Sequence, residues 1–99
     1  MKTQRNHRLI KTDHFLLRAW ERGYYHSSIE KLIKKIRACN KKAFYLISNK
    51  TLKKLKVKVT KSKYLVIVVK ENCLITLFEV DNLYEFLKSN SQHQIETIK

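Results

Sequence analysis

Tyr64-Leu65-Val66-Ile67-Val68-Val69 is followed, after Lys70-Glu71-Asn72, by Cys73-Leu74-Ile75-Thr76-Leu77-Phe78-Glu79-Val80. The first run is apolar at every position, which predicts a central strand covered on both faces. It is far too short to span a bilayer. Lys70-Glu71-Asn72 predicts a turn, and Cys73 to Val80 the next strand. Upstream, Leu55-Lys56-Val57-Lys58-Val59 alternates strictly, as a half-buried strand does. Lys61-Ser62-Lys63 separates it from the central run. Ala43 to Ile47 predicts a further strand, ending in a turn at Ser48-Asn49-Lys50.

The flanks carry helical signals. Thr12 or Asp13 can cap a first helix running to about Arg22, and Gly23, the only glycine, suits its left-handed C-terminal residue. Ser27-Ser28-Ile29-Glu30 reads as a capping box. A second helix follows, with Ile29, Leu32, Ile33 and Ile36 on one face, fading near Cys39-Asn40. Asn82 with Glu85 can cap a short last helix whose Leu83, Phe86 and Leu87 face inward. The expected fold is α+β: two N-terminal helices packed on a four-stranded, mainly antiparallel sheet, with a short C-terminal helix. Residues 1–11 are expected as a flexible basic arm, 12–88 as a single domain and 89–99 as a polar tail.

Composition narrows the function. The 99 residues allow one domain, and 43% apolar content argues against disorder. The N-terminus has no apolar stretch after its charges, so a secretory signal is not expected. Cys39 and Cys73 read as reduced cytosolic thiols, and neither lies in a zinc-type pair. No metal or cofactor is expected. A Gly-rich phosphate loop, paired carboxylates and a Ser/His/Asp constellation are all missing, which argues against NTPases, glycosidases and acyl-transfer hydrolases.

The charge is one-sided. Lys and Arg total 22 against 8 Asp and Glu, for a net of +14. Residues 1–63 carry +16 and residues 64–99 carry −2. Lys41 to Lys63 holds 9 lysines and no acid. Solubility needs a net charge of only about 2–8. Such a field concentrates polyanions, so nucleic acid is the first candidate partner, an anionic membrane the second and an acidic protein the third. In the alternating segment, strand periodicity would put Lys54, Lys56 and Lys58 on one face about 6.6–6.8 Å apart. That row suits a phosphate backbone. It equally suits an edge strand that blocks further pairing.

The first helix is the most informative stretch. His14, Arg18 and Arg22 recur at i, i+4 and i+8, which places them on one slowly drifting stripe. Three such groups repel one another, and a purely structural helix gains nothing from them. Facing a phosphate they make sense: an imidazole that titrates near neutral pH and two guanidiniums that grip phosphate oxygens in pairs. Trp20 reads as core rather than as a base-stacking platform. Tyr24-Tyr25 reads as loop packing rather than as base contacts.

Thr12-Asp13-His14 through Arg22-Gly23 resembles the opening of a family of small bacterial domains of unknown function, with the pattern S/T-x-H-x-x-x-R-x-x-x-R-G. There, a second amphipathic helix and a β-meander follow, and the last strand reads like Leu74 to Val80 with a central threonine. The resemblance covers about residues 12–81. In layout that family is related to BrnT-like toxins and to the barnase, colicin and RelE class of metal-independent ribonucleases. The resemblance implies His14 as the acid/base group, Arg18 and Arg22 as phosphate ligands, and Thr76 as a polar residue directed at the site. The middle of the sheet departs from the pattern: only Tyr64, Lys54, Lys56 and Lys58 could supply a second catalytic group.

Three functions follow as expectations. The first is a ribonuclease toxin that cleaves RNA by 2′-OH attack, with His14 as general base and an acidic cognate antitoxin. The second is a non-catalytic nucleic-acid-binding protein, which needs the charge but not His14. The third is an interaction module for an acidic protein.

Overall fold

A computed structural model describes residues 9–36 and 41–98. Most of the expected basic arm and the Cys39-Asn40 helix end lie outside the described residues. The elements are β1 (Ile10–Lys11), α1 (Asp13–Glu21), α2 (His26–Ile33), β2 (Ala43–Ser48), α3 (Asn49–Lys54), β3 (Tyr64–Lys70), β4 (Cys73–Val80), α4 (Leu83–Ser89) and β5 (Gln94–Ile98). The described strands form one mixed sheet in the order β1-β4-β3-β2-β5. The α+β class is as expected.

The central strand is β3. Its side chains alternate between two cores, because successive residues of a strand point to opposite faces. Leu65, Ile67 and Val69 join Phe15, Ala19 and Tyr24 under the N-terminal helices. Val66 and Val68 join Phe44, Leu46 and Phe86 on the other face, where α4 packs. Antiparallel pairing to β2 and β4 flanks β3 on both sides. The β3–β4 connection is a two-residue turn. Glu71 and Asn72 have φ of 51° and 63°, the left-handed pair that matches the twist of a hairpin. In β4 the register shifts opposite Val68 and Val69, leaving Ile75 as the extra residue. The bulge sends Leu74 and Leu77 to the first core while Ile75 and Phe78 pack against the second.

Local signals place α1 and α4. The Thr12 hydroxyl accepts from the Phe15 N–H at 3.2 Å and donates to the Leu74 carbonyl at 2.7 Å, so one side chain caps α1 and fastens it to β4. Asn82 Oδ1 accepts from the Glu85 N–H at 3.0 Å, as expected for α4. Phe86 is buried, whereas Leu87 stays exposed.

The structure corrects four expectations. The Ser27–Glu30 capping box does not form. Helix α2 starts two residues early, at His26 with Tyr25 as its N-cap, so Ser27 already lies inside the helix and no side chain caps it. Ser48-Asn49-Lys50 is a helix start rather than a turn: the Ser48 hydroxyl accepts from the Thr51 N–H and opens α3. Residues 55–59 are not a strand. Leu55, Val57 and Val59 do reach the first core, but Lys56 adopts φ 60° and breaks the extended run. Finally, both ends of the described chain supply strands. Ile10–Lys11 pairs parallel with β4, and Gln94–Ile98 pairs parallel with β2, so the sheet has five strands rather than four.

Thr12 joins local and long-range order, so its loss is measurable. Thr12→Val should lower the free energy of unfolding by about 1–2 kcal/mol, read from the urea midpoint. Thr12→Ser should recover most of it.

Candidate nucleic-acid interface

Helix α1 presents three different faces. Phe15 and Ala19 are buried in the first core. Leu16, Leu17 and Trp20 lie exposed on the flank beside α2. Arg18 and Arg22 lie on the opposite flank, toward β4 and the 55–63 segment, with His14 one turn earlier on the same stripe.

Arg18, Glu21 and Arg22 face Lys58, Lys61 and Glu79 across a cleft of about 500 Å³. Val59 and Phe78 complete its lining. Four cations thus meet two carboxylates, drawn from three separate parts of the chain. Arg18 pairs with Glu21 at 3.3 Å, both side chains being well exposed. Such a pair contributes under about 1 kcal/mol and yields readily to a stronger anion. Among the described residues, Arg22 and Lys61 form no ion pair.

The 55–63 segment is held by side chains rather than by a strand ladder. The buried Tyr24 hydroxyl donates to the Lys58 carbonyl at 2.9 Å. Asn49 Nδ2 donates to the Thr60 and Ser62 carbonyls, and its Oδ1 accepts from the Thr60 N–H at 2.9 Å. Glu79 Oε1 accepts from the Ser62 N–H at 3.3 Å. Lys58 Nζ in turn donates to the Arg22 carbonyl at 3.1 Å, at the negative end of α1. Gly23 makes that approach possible. It sits at φ 85°, and a Cβ there would come within 2.7 Å of Lys58 Nζ. Its role as the left-handed end of the helix is as expected, but the room it leaves for Lys58 is visible only in three dimensions.

The expected site residues divide into two groups. Arg18, Arg22 and Lys58 meet in the cleft. His14 is exposed on the same stripe but does not line it. Thr76 pairs with Val68 and lines a hollow with Phe44 and Ile75, on the sheet face away from α1. The row of Lys54, Lys56 and Lys58 does not exist: Lys54 ends α3, Lys56 is left-handed and only Lys58 reaches the cleft. Tyr64 packs against the second core. Trp20, expected in the core, is 64% exposed. Of the charged residues in the cleft, Glu21, Lys61 and Glu79 were not expected in the site. Lys61 belonged visibly to the basic segment, but nothing in the spacing marked Glu79.

Among the described residues no cluster of three or more His, Cys, Asp and Glu could hold a metal, and no helix is long and apolar enough to cross a membrane. Comparison of the chain with family models, with curated proteins and with solved structures gives no match.

Tyr24 offers a direct handle on the segment that builds the cleft. Burial, with the Glu79 carboxylate adding and Arg22 opposing, pushes its hydroxyl up to about 12 from 10.0. Above pH ~10 the unfolded chain ionises this group while the folded chain does not. Its stabilising share is therefore complete below that pH and is lost as the pH rises toward 12. Wild type should lose ~2 kcal/mol more than Tyr24→Phe across this window, measured by denaturant unfolding at both pH values.

Proposed function

We propose that the protein binds RNA, gripping the phosphate backbone in the cleft between α1, the 55–63 segment and β4. The observation that carries this reading is the meeting of Arg18, Arg22, Lys58 and Lys61 in one cleft, in a chain of net charge +14. Two of these cations, Arg22 and Lys61, are unpaired among the described residues. A phosphate is the ligand such a group recognises, because guanidinium and ammonium donors match its oxygens and the surrounding field raises its local concentration. The resemblance of the first helix to a family of small domains of unknown function, related in layout to metal-independent ribonucleases, favours RNA over DNA.

RNA cleavage is a second reading, in which the chain is a metal-independent ribonuclease toxin held by an acidic antitoxin. The carboxylates of Glu21 and Glu79 in the cleft favour it, since in this reading either would serve as the second acid/base group. In that reaction a base takes the 2′-OH proton, the 2′-oxygen attacks phosphorus, and the 5′-oxygen leaves with a proton from the acid. Binding ranks above cleavage on geometry. Glu79 already anchors Ser62, His14 stands outside the cleft lining, and Thr76 lies on the other sheet face.

Anisotropy of a labelled RNA over a series of NaCl concentrations tests the reading. The logarithm of affinity should fall linearly with the logarithm of salt, by about 0.7 per phosphate contact on a single strand. Arg22→Ala/Lys61→Ala should reduce that slope by one to two. Affinity independent of salt, or unchanged in the double variant, overturns the cleft as the binding site. If wild type degrades the RNA in EDTA and Glu79→Gln or His14→Ala does not, the second reading replaces the first.

A further inference from the structure

The flank of α1 opposite the basic cleft carries a second feature that the charge does not explain. Trp20 is 64%, Tyr25 57% and Leu17 53% exposed, and with Leu16 they line a groove of about 540 Å³ between α1 and α2. Lys11, held by Glu30 at 2.9 Å, and His26 also line it. We propose that the RNA bound by this protein is single-stranded and that its bases enter this groove to stack on Trp20 and Tyr25. This rests on the phosphate-binding reading above and adds to it the class of RNA.

A π-face stacks on any unpaired base, and aromatic platforms beside a cationic track are the usual means of holding single strands. In a duplex those faces are already stacked on neighbouring pairs and cannot reach an indole. The track and the platform here occupy the two flanks of one helix. A helix with its side chains is only about 10–12 Å across, a distance that a few nucleotides of extended strand cover. A second copy of the chain would bring another +14 against the same face. The polyanion that the cleft attracts is therefore the occupant that both surfaces accept.

Trp20 is the only tryptophan in the chain, so emission excited selectively at wavelengths beyond tyrosine absorption reports on this groove. The full chain is titrated with unlabelled decauridylate and, separately, with a blunt-ended RNA duplex. Decauridylate should quench Trp20 to saturation, and the duplex should bind without quenching. Trp20→Leu, which keeps an apolar side chain at an exposed position, should lose roughly tenfold in affinity for decauridylate. Its salt slope and its duplex affinity should not change, and Trp20→Phe should retain most of the single-strand affinity. If Trp20→Leu binds decauridylate like wild type, or the duplex quenches equally, the stacking inference fails while the salt-dependent cleft stands. If neither RNA binds at low salt, the cleft reading falls and takes this one with it. If phosphatidylserine vesicles shift the Trp20 emission to the blue while decauridylate does not, the groove belongs to a lipid surface. If emission changes with protein concentration alone, it belongs to a second copy. Either result overturns the proposal.

Discussion

Five consecutive side chains of β3, Leu65 to Val69, are buried, and they alternate between two faces of one sheet. Neither face can be left to water, because burying each of these side chains stabilises the fold by about 1.5–3 kcal/mol. The rest of the architecture answers that demand. Helices α1, α2 and α3 contribute Phe15, Ile29 and Leu52 to the cover on one side. Helix α4 brings Phe86 to the other, where it meets Phe44 edge-to-face with ring centroids 5.4 Å apart. Strands β2 and β4 close both edges of β3. The β4 bulge serves the same end, because it lets an eight-residue strand supply both cores without a polar residue entering either.

A helix that covers a sheet needs only one apolar face, and α1 spends Phe15 and Ala19 on it. The remaining circumference is free to carry function, and it is divided between an apolar groove and a cationic stripe. Three features fasten the helix firmly enough for both to be precise. Thr12 holds its start to β4, Tyr24 buries itself just past its end, and Lys58 closes its carbonyl terminus. The last two also place the 55–63 segment. The interactions that end the helix therefore build the far wall of the cleft.

The parts of the fold that were legible in the sequence are those decided by neighbours along the chain. The β3–β4 hairpin, the Thr12 and Asn82 caps and the Gly23 terminus each depend on a few adjacent residues. The burial of Leu55, Val57 and Val59 was legible too. Their hydrogen bonding was not, because it depends on Tyr24 and Asn49, distant side chains with no periodic signature. Gln94–Ile98 looked like a polar tail because a solvent-facing edge strand leaves most of its side chains in water. Helical spacing put Arg18 and Arg22 on one stripe, and both line the cleft. The lysine row failed because it assumed a ladder that Lys56, at φ 60°, interrupts. Trp20 misled for a general reason: hydrophobicity says what a side chain gains from burial, not whether the fold has a place to bury it.

The composition of the cleft bears on how tightly it can hold a ligand. Four cations in one cleft repel one another in the empty protein, and Glu21 and Glu79 offset part of that cost. The two carboxylates are not equivalent. Glu79 accepts from the Ser62 N–H, which ties it to the 55–63 segment. Glu21 is an exposed partner of Arg18 and can be displaced. On the proposed reading, an arriving phosphate meets Arg22 and Lys61, which form no ion pair among the described residues, and competes only for Arg18, while Lys58 remains tied to the helix end. If a phosphate backbone is the ligand, as proposed, the arrangement favours exchangeable contacts over a tight, buried grip on a single phosphate group. On the same reading, exchangeable contacts of that kind would let a strand shift along the cleft and would leave selectivity to whatever the groove on the other flank of α1 accepts.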